Sequence, residues 1–398
     1  MIMATDNKNK VLNVPNLRFP EFKEEWKKYK VIDVLDFYST NSLSWEQLDY
    51  DNEDLYNLHY GLIHVGLPIL VDIGQNKLPG IKTECKPKNF ELCKEGDVAF
   101  ADASEDTNDV AKAIEFVNLN NQKTVCGLHT IHGRDNKYLT VLGYKGYAFA
   151  SPLFHNQIRR IAQGTKIYSI SSKNFAECYI GIPSKDEQSK IARLLALIDS
   201  RIATQNKIIE DLKKLKVAIR DKAIALGIKK SVFKTLDSIA DIYQPQTIPT
   251  SLLSEDAEYF VYGANGIIGK YTEYNHSEPQ ICIACRGNTC GTINFSTAKS
   301  WITGNAMVVN TDQYSVINKR YLYHYLSTIN FNPLISGSGQ PQIVRQPLAK
   351  LKIPTPSIEQ QVGIVKVIDS FELKIEIEKK YLQSLLTQKV YLLSNMFI

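Results

Sequence analysis

At 398 residues, 44% hydrophobic and 22% charged, the chain can bury two or three cores, which excludes disordered and collagen-like classes. No apolar run nears the ~18 residues of a membrane span, and the start MIMATDNKNK has neither an apolar stretch nor a small-residue cleavage site, so a cytoplasmic chain is expected. Seven scattered cysteines point to reduced thiols rather than a disulfide framework, and a net charge of +5 permits a nucleic-acid partner without arguing for one.

Residues 1–182 are rich in Tyr, Asn and Gly and carry short β-type runs such as Gly96-Asp97-Val98-Ala99-Phe100, the pattern of a mixed α+β globular domain. Toward its end, Gln157 to Tyr168 gathers Arg159, Arg160 and Lys166 with amides and a Gly-hinged turn at Gly164. That set suits phosphate clamping and base-edge contacts. Ser184-Lys185-Asp186-Glu187 then has the capping-box form, in which the Ser hydroxyl accepts an early backbone N–H and the residue three on reaches back. Ile191, Leu195, Ile198, Ile202, Ile209, Leu212, Ile219, Ala223 and Leu226 follow with coiled-coil spacing, predicting a spacer segment over 183–228 whose long helix stops before Gly227.

Residues 229–355 read as a second mixed domain, with strand-like Gln280–Ala284 and Ala306–Val309. Its closing loop, Ser336-Gly337-Ser338-Gly339-Gln340-Pro341-Gln342, holds two glutamines able to pair bidentately with adenine. Ser357-Ile358-Glu359-Gln360 opens residues 356–398, where Ile364, Ile368, Phe371, Ile375, Leu382, Leu385, Leu392 and Met396 continue the same seam.

The two halves are copies. An ungapped offset of 173 aligns the stretches from Gly164 and Gly337 to the C-terminus, matching Pro183-Ser184 with Pro356-Ser357, Gln188 with Gln361 and Lys216-Val217 with Lys389-Val390. Upstream the offset becomes 204, pairing Lys30 with Lys234 and Asp33 with Asp237, as if the second copy lost 31 residues in its middle. The expected fold class is α+β. Two mixed α/β globular domains alternate with two long helices that pair as an antiparallel coiled coil with pseudo-two-fold symmetry; two amphipathic helices on separate cores explain the period almost as well. Polar flaws in the seam fall at Gln205 and Lys216 and, under the same offset, at Glu378 and Lys389. The antiparallel register that matches both sets Lys216 against Glu378 and Gln205 against Lys389.

Catalytic motifs fail one by one. In Gly263 to Tyr271 the spacing is wrong for a phosphate loop, and Tyr271 stands where Ser or Thr must bind magnesium. Cys282, Cys285 and Cys290 lack a fourth ligand and read as core. Asn332-Pro333 lacks the aromatic residue that amino-methyltransferases stack on a flipped base. His129 and His132 with Asp135 have neither a nucleophile elbow nor a metal set. No catalytic group, no metal and no cofactor bound by this chain is expected.

What remains resembles a known family. Leu17-Arg18-Phe19-Pro20-Glu21-Phe22 with Glu25-Trp26, the loops Gly164-Thr165-Lys166 and Gly337 to Pro341, and the Pro-led starts of both long helices resemble the specificity subunits of type I restriction-modification enzymes. His59-Tyr60-Gly61-Leu62-Ile63-His64, Ala101 to Asp106 and Gly127 to Ile131 resemble one target-recognition domain type. Tyr262 to Gly269, Arg286-Gly287 and Gly304-Asn305-Ala306 resemble another. The resemblance implies a non-catalytic subunit in which each globular domain reads one half of a split, asymmetric site in double-stranded DNA. Two methyltransferase subunits using S-adenosylmethionine dock on the helices, and restriction subunits with an ATP- and Mg-dependent motor join them. It makes His59, Tyr60, His64, Ser104, His129, Arg159, Arg160, Lys166 and Tyr168 the candidate readers of one half-site. Tyr262, Asn265, Arg286, Asn305, Ser338, Gln340 and Gln342 are those of the other. Two alternatives stay open: a single-chain DNA methyltransferase or nuclease with decayed motifs, and a coiled-coil scaffold that binds only protein.

Overall fold

The computed structural model describes residues 13–229, 231–337 and 339–398. It divides into two compact units, one built from the chain up to Asn206 with Tyr381–Ile398 and the other from Lys207–Lys380. Among the described residues no helix is long and apolar enough to cross a membrane.

In the first unit a five-stranded sheet runs in the order Asp36–Tyr38, Thr130–Arg134, Val98–Ala101, Ala113–Asn118, Leu70–Asp72, antiparallel except for the last pair. Val98–Ala101 is buried on both faces, and its side chains alternate as a strand requires. Val98 and Phe100 meet Tyr144, Tyr147, Phe149 and Phe175; Ala99 and Ala101 meet Leu58, Ile63 and Phe116. A second sheet orders Thr124–Cys126, Tyr56–Leu58, Gly80–Ile81 and Leu48–Asp49. The end of the chain returns to this core: Leu392, Leu393, Met396 and Phe397 are buried there, and the Phe397 ring packs edge-on against Trp26 at 6.4 Å.

The second unit has the same plan with fewer strands. Asp241–Tyr243, Ala306–Asn310, Ile281–Ala284 and Ile293–Phe295 form an antiparallel sheet, and Gly266–Tyr271, Tyr259–Gly263 and Trp301–Ile302 form a smaller one. In each unit a two-stranded ribbon precedes the long helix, Lys27–Lys30 with Tyr179–Ile182 and Val232–Thr235 with Lys352–Thr355. The ribbons correct the upstream offset. Lys30 faces Tyr179 while Thr235 faces Lys352, so the copies superpose at 205 and the second lacks 32 residues, because strand register outranks the Lys and Asp identities that suggested 204.

Two buried side chains fasten each ribbon to its helix in the same way. Gln188 accepts from Val141 N (2.9 Å) and donates to Leu139 O (3.1 Å) and Pro183 O (2.9 Å); Gln361 accepts from Asn318 N (2.7 Å) and donates to Val316 O (3.1 Å) and Pro356 O (2.8 Å). The hydroxyls of Tyr144 and Tyr321 donate to Gly181 O and Pro354 O on the ribbons. Both amides are wholly buried, so each depends on these bonds to offset its desolvation.

The helices run Lys185–Ile228 and Ile358–Asn395. Of these two helices, the second has the full capping box, between Ser357 and Gln360. At Ser184 only half forms, because the buried Glu187 carboxylate is taken by Arg18 in a two-point pair at 2.7 and 2.8 Å. Gly227 does not end its helix. It lies inside it, where a Cβ would come 3.0 Å from Ile364 Cδ1, so glycine serves close approach. Leu226 is 59% exposed and leaves the seam, which Ile224 continues.

The expected ion-pair register is also corrected. Lys216 Nζ lies 3.2 Å from Glu372 Oε1, and Lys389 Nζ lies 2.5 Å from Asp199 Oδ1. The expected partners, Glu378 and Gln205, stand six residues further along, about 9 Å of helix at ~1.5 Å per residue. The reason is that each carboxylate used is already held by its own unit: Asp199 accepts Tyr147 Oη–H, and Glu372 accepts Arg320. Glu378 takes Lys374 one turn back. The two observed pairs are equivalents under the 173 offset, so the repeat extends to this contact.

Replacing Gln361 with Leu strips three hydrogen bonds and leaves Asn318 N–H and two carbonyls unpaired. The expected loss is roughly 2–4 kcal/mol of unfolding free energy in urea titration, and a loss below about 0.5 kcal/mol contradicts the fastening role. A second prediction concerns pH. Burial, then Arg159, lowers the pKa of His155 to about 4. The unfolded chain, with an ordinary imidazole near ~6.5, therefore takes up the proton first. The contribution is complete above pH ~6.5 and is lost as pH falls toward 4, about 1–2 kcal/mol at pH 5. His155→Leu should flatten the difference in unfolding midpoint between pH 7.5 and pH 5; an unchanged difference excludes His155 as the source.

Candidate nucleic-acid interface

The surface helix Pro152–Ile161 ends in Arg159 and Arg160 and hands over to a loop that closes on itself. Gln163 and Ser169 exchange both backbone hydrogen bonds, at 2.9 and 2.8 Å. Gly164 has φ +140°, and a Cβ there would sit 1.9 Å from Ile167 O, so the closure requires glycine. In the second unit Ser336 and Gln342 make the same exchange at 2.9 and 2.8 Å, with Gly337 at φ +89°. These are the same positions under the 173 offset.

Both loops dock on the same strand end. Ile170 N donates to Asp102 O and Ile343 N to Cys285 O, each at 3.0 Å; Asp102 N donates to His129 O and Cys285 N to Asn305 O, each at 3.1 Å. His129 and Asn305, which no ungapped offset aligns, therefore occupy equivalent places. Sequence reasoning missed that pairing because the copies differ in length between the shared segments.

In the first unit Tyr168 pairs with Ser104, and beside them opens a cleft of about 570 Å³ lined by Tyr60, His64, Ser104, Asp106, His129 and Ile167 among others. Tyr60 meets the His64 ring at 5.8 Å and the His129 ring at 5.3 Å, both edge-on. His129 has a left-handed φ of +54° and holds Asp102 Oδ1 at 3.1 Å through Nδ1. His64 Nε2 is fixed to Ala103 O at 2.9 Å. Five sequence candidates thus converge. Glu105, Asp106 and Asp109 also line the cleft, so its lining suits hydrogen-bond donors such as base amino groups rather than phosphates. Arg159 is exposed and bonds Asn108, and Arg160 and Lys166 are exposed.

His59 does not face the cleft. It is 3% exposed, its Nδ1 accepts Gly61 N–H at 3.1 Å, and its ring lies between Trp45 and Tyr60 at 4.3 and 4.6 Å. Burial, then His129, lowers its pKa, keeping it neutral as that acceptor. It positions Tyr60. Trp45, 45% exposed, was missed because nothing in its local sequence marks it.

In the second unit Gln342 forms a backbone bridge with Arg286, and Pro341 O accepts from Gly287 N at 3.0 Å. The structure so brings Arg286, Gln340, Gln342 and Asn305 to one docked loop with exposed side chains. Asn265 is exposed at the turn of the Tyr259–Tyr271 hairpin. Tyr262 is a correction: it is buried, and its hydroxyl accepts Thr297 N–H at 3.1 Å, because its strand position faces the core. Ser338 lies outside the described residues.

The sequence matches the family model for the type I restriction modification DNA specificity domain over residues 134–214 and 228–387. It is 31% identical over 143 residues to the type I restriction enzyme EcoprrI specificity subunit of Escherichia coli, covering 35% of each chain. It is 25% identical over 263 residues to the MjaVIII specificity subunit of Methanocaldococcus jannaschii, covering 55% of this chain and 61% of that one. The matches thus span between a third and about three fifths of those relatives. The fold is similar to the type I restriction-modification S subunit from M. genitalium, with a TM-score of 0.59 at 18% identity over 97% of this chain and 99% of that one. A chain from a study of complex assembly in the type I system follows at 0.52 and 14%, covering 92% and 96%. With well over half of the sequence inside the family model and the duplicated, loop-docked fold beneath it, this chain belongs to the type I restriction modification DNA specificity domain family.

Proposed function

We propose that the chain is the sequence-reading subunit of a type I restriction-modification complex. Each unit reads one half of a split, asymmetric site in double-stranded DNA. The observation that carries this reading is the docked loop. Its backbone closure and docking bonds are the same in both units, while its side chains differ, Lys166-Ile167-Tyr168 in one and Gly339-Gln340-Pro341 in the other. A fixed frame carrying variable chemistry is what two independent readers need.

The long helices serve as a paired spacer. At 44 residues the first is about 66 Å long at ~1.5 Å per residue, against ~34 Å for one DNA turn between half-sites. Their outer faces dock two methyltransferase subunits, which supply S-adenosylmethionine chemistry, and restriction subunits using ATP and Mg join the assembly. The chain itself contributes recognition and no bond-breaking step. Purified chain that transfers methyl groups from S-adenosylmethionine with no added subunit would favour the single-chain enzyme instead.

Exchanging residues 1–182 for those of a relative should alter one half of the methylated site and leave the other unchanged; an exchange that alters both halves contradicts independent reading. Within the second loop, Gln340→Ala or Gln342→Ala should relax the second half-site by about 1–3 kcal/mol. Lys166→Ala should weaken binding to the whole site and shallow its salt dependence by about one unit. Unchanged affinity and specificity in all three variants would remove the loops from the reading surface.

A further inference from the structure

Beneath the cleft of the first unit, three segments bring Cys93, Cys126 and His132 together, all buried, with their candidate ligand atoms within 4.8 Å of one another. We propose that Cys93 Sγ, Cys126 Sγ and His132 Nδ1 supply three ligands to a zinc ion that holds the His129 loop in place, a water molecule completing the tetrahedron. The ion's role in reading DNA rests on the proposed function; its existence does not.

The sulfurs are 3.6 Å apart, too far for a disulfide and close to the ~3.8 Å edge of a tetrahedron with Zn–S bonds of ~2.3 Å. The histidine is the second, independent observation. Its Nε2 is committed to Asp97 Oδ2 at 2.7 Å, and its buried Nδ1 has no partner. A thiol–thiol contact satisfies the sulfurs but leaves that nitrogen orphaned; a metal satisfies all three. Asp97 is itself clamped by Arg134 at 2.8 Å through both oxygens and by Lys94 N, the carboxylate–imidazole support that orients a metal-bound histidine. Charge balances as well. Zn²⁺ with two thiolates is neutral, and Asp97 with Arg134 is neutral, so no net charge is buried.

The second unit shows that the fold does not need this ligand set there. Cys93 N bonds Thr124 O as His276 N bonds Ser300 O, and Gly127 N bonds Leu58 O as Thr303 N bonds Tyr262 O. These bonds and the strand registers place His276, Ile302 and Val308 at the positions of Cys93, Cys126 and His132. Two are aliphatic, and His276 Nε2 pairs with the Tyr243 hydroxyl at 2.9 Å. Where the first unit gathers two thiols and an orphaned imidazole nitrogen, the second offers a single imidazole that already has a partner. Cys126 and His132 bracket residues 127–131, so a bound ion would anchor both ends of the loop that presents His129 in its left-handed conformation.

The test uses the full chain, purified under reducing conditions, with zinc content measured by mass spectrometry and cobalt(II) substituted as a spectroscopic probe. One zinc per chain and a cobalt spectrum with sulfur-to-metal charge transfer and intense tetrahedral d–d bands are expected. Asp97→Asn should weaken zinc binding about 10–100-fold, and Cys126→Ser should abolish it, whereas Cys178→Ser should keep it. Should Cys126→Ser fail to fold, the cobalt spectrum of the unaltered chain decides alone. A chain without zinc whose cobalt spectrum lacks charge transfer, a Cys93–Cys126 disulfide in the reduced preparation, or metal retained by folded Cys126→Ser would overturn the site. None of these readouts involves DNA, so failure here is distinguishable from failure of the functional reading.

Discussion

The structure depends on a buried amide that must find three partners. Gln188 and Gln361 sit at the first turn of the long helices with no access to water, and each is satisfied only if the ribbon, the segment before the inner helix and the helix itself come together. An amide left unpaired there would cost about 1–3 kcal/mol per orphaned group, a sizeable part of a domain's stability. The fastening therefore fixes how each globular unit meets its helix. The sheets above it are free to vary in strand number without disturbing that junction. In the first unit the junction is reinforced by Arg18 on Glu187 and by the returning Phe397 on Trp26 and Tyr144.

That division of labour explains how a recognition protein can change what it reads. The loop from Gln163 to Ser169 and its counterpart from Ser336 to Gln342 are closed by the same paired backbone bonds, with glycine at the strained position. Lys166, Gln340 and Gln342 are exposed on these loops, whereas Tyr168 packs against the core of the first unit. The cleft beside the first loop, lined by Tyr60, His64 and His129 together with Glu105, Asp106 and Asp109, has no aromatic counterpart in the second unit at Asn305. The two units therefore offer different chemistry on one frame.

Much of this was legible in the sequence, and the limits have physical causes. The 173 offset located the helices, the glutamines and the closing loops because those segments are constrained by hydrogen bonds that tolerate little change. It failed upstream by one residue, where two chance identities outweighed a strand register visible only in three dimensions. The seam flaws were found but mispaired, since Asp199 and Glu372 lie outside the apolar period and are selected by Tyr147 and Arg320 from the globular units. Tyr262 and His59 looked like surface readers because aromatic and imidazole groups serve cores and sites alike; burial separates them. Cys93, Cys126 and His132 were invisible as a group, since Cys93 stands 33 residues before Cys126 without metal-motif spacing and only the fold brings it to the other two.

The most direct test of the central claim is methylome sequencing of a restriction-deficient host that expresses this chain with its methyltransferase subunits. The account predicts methylated adenines in a single bipartite motif, two unlike specified blocks separated by a gap of unspecified bases. A continuous or palindromic motif, or methylation that persists when this chain is omitted, would contradict it.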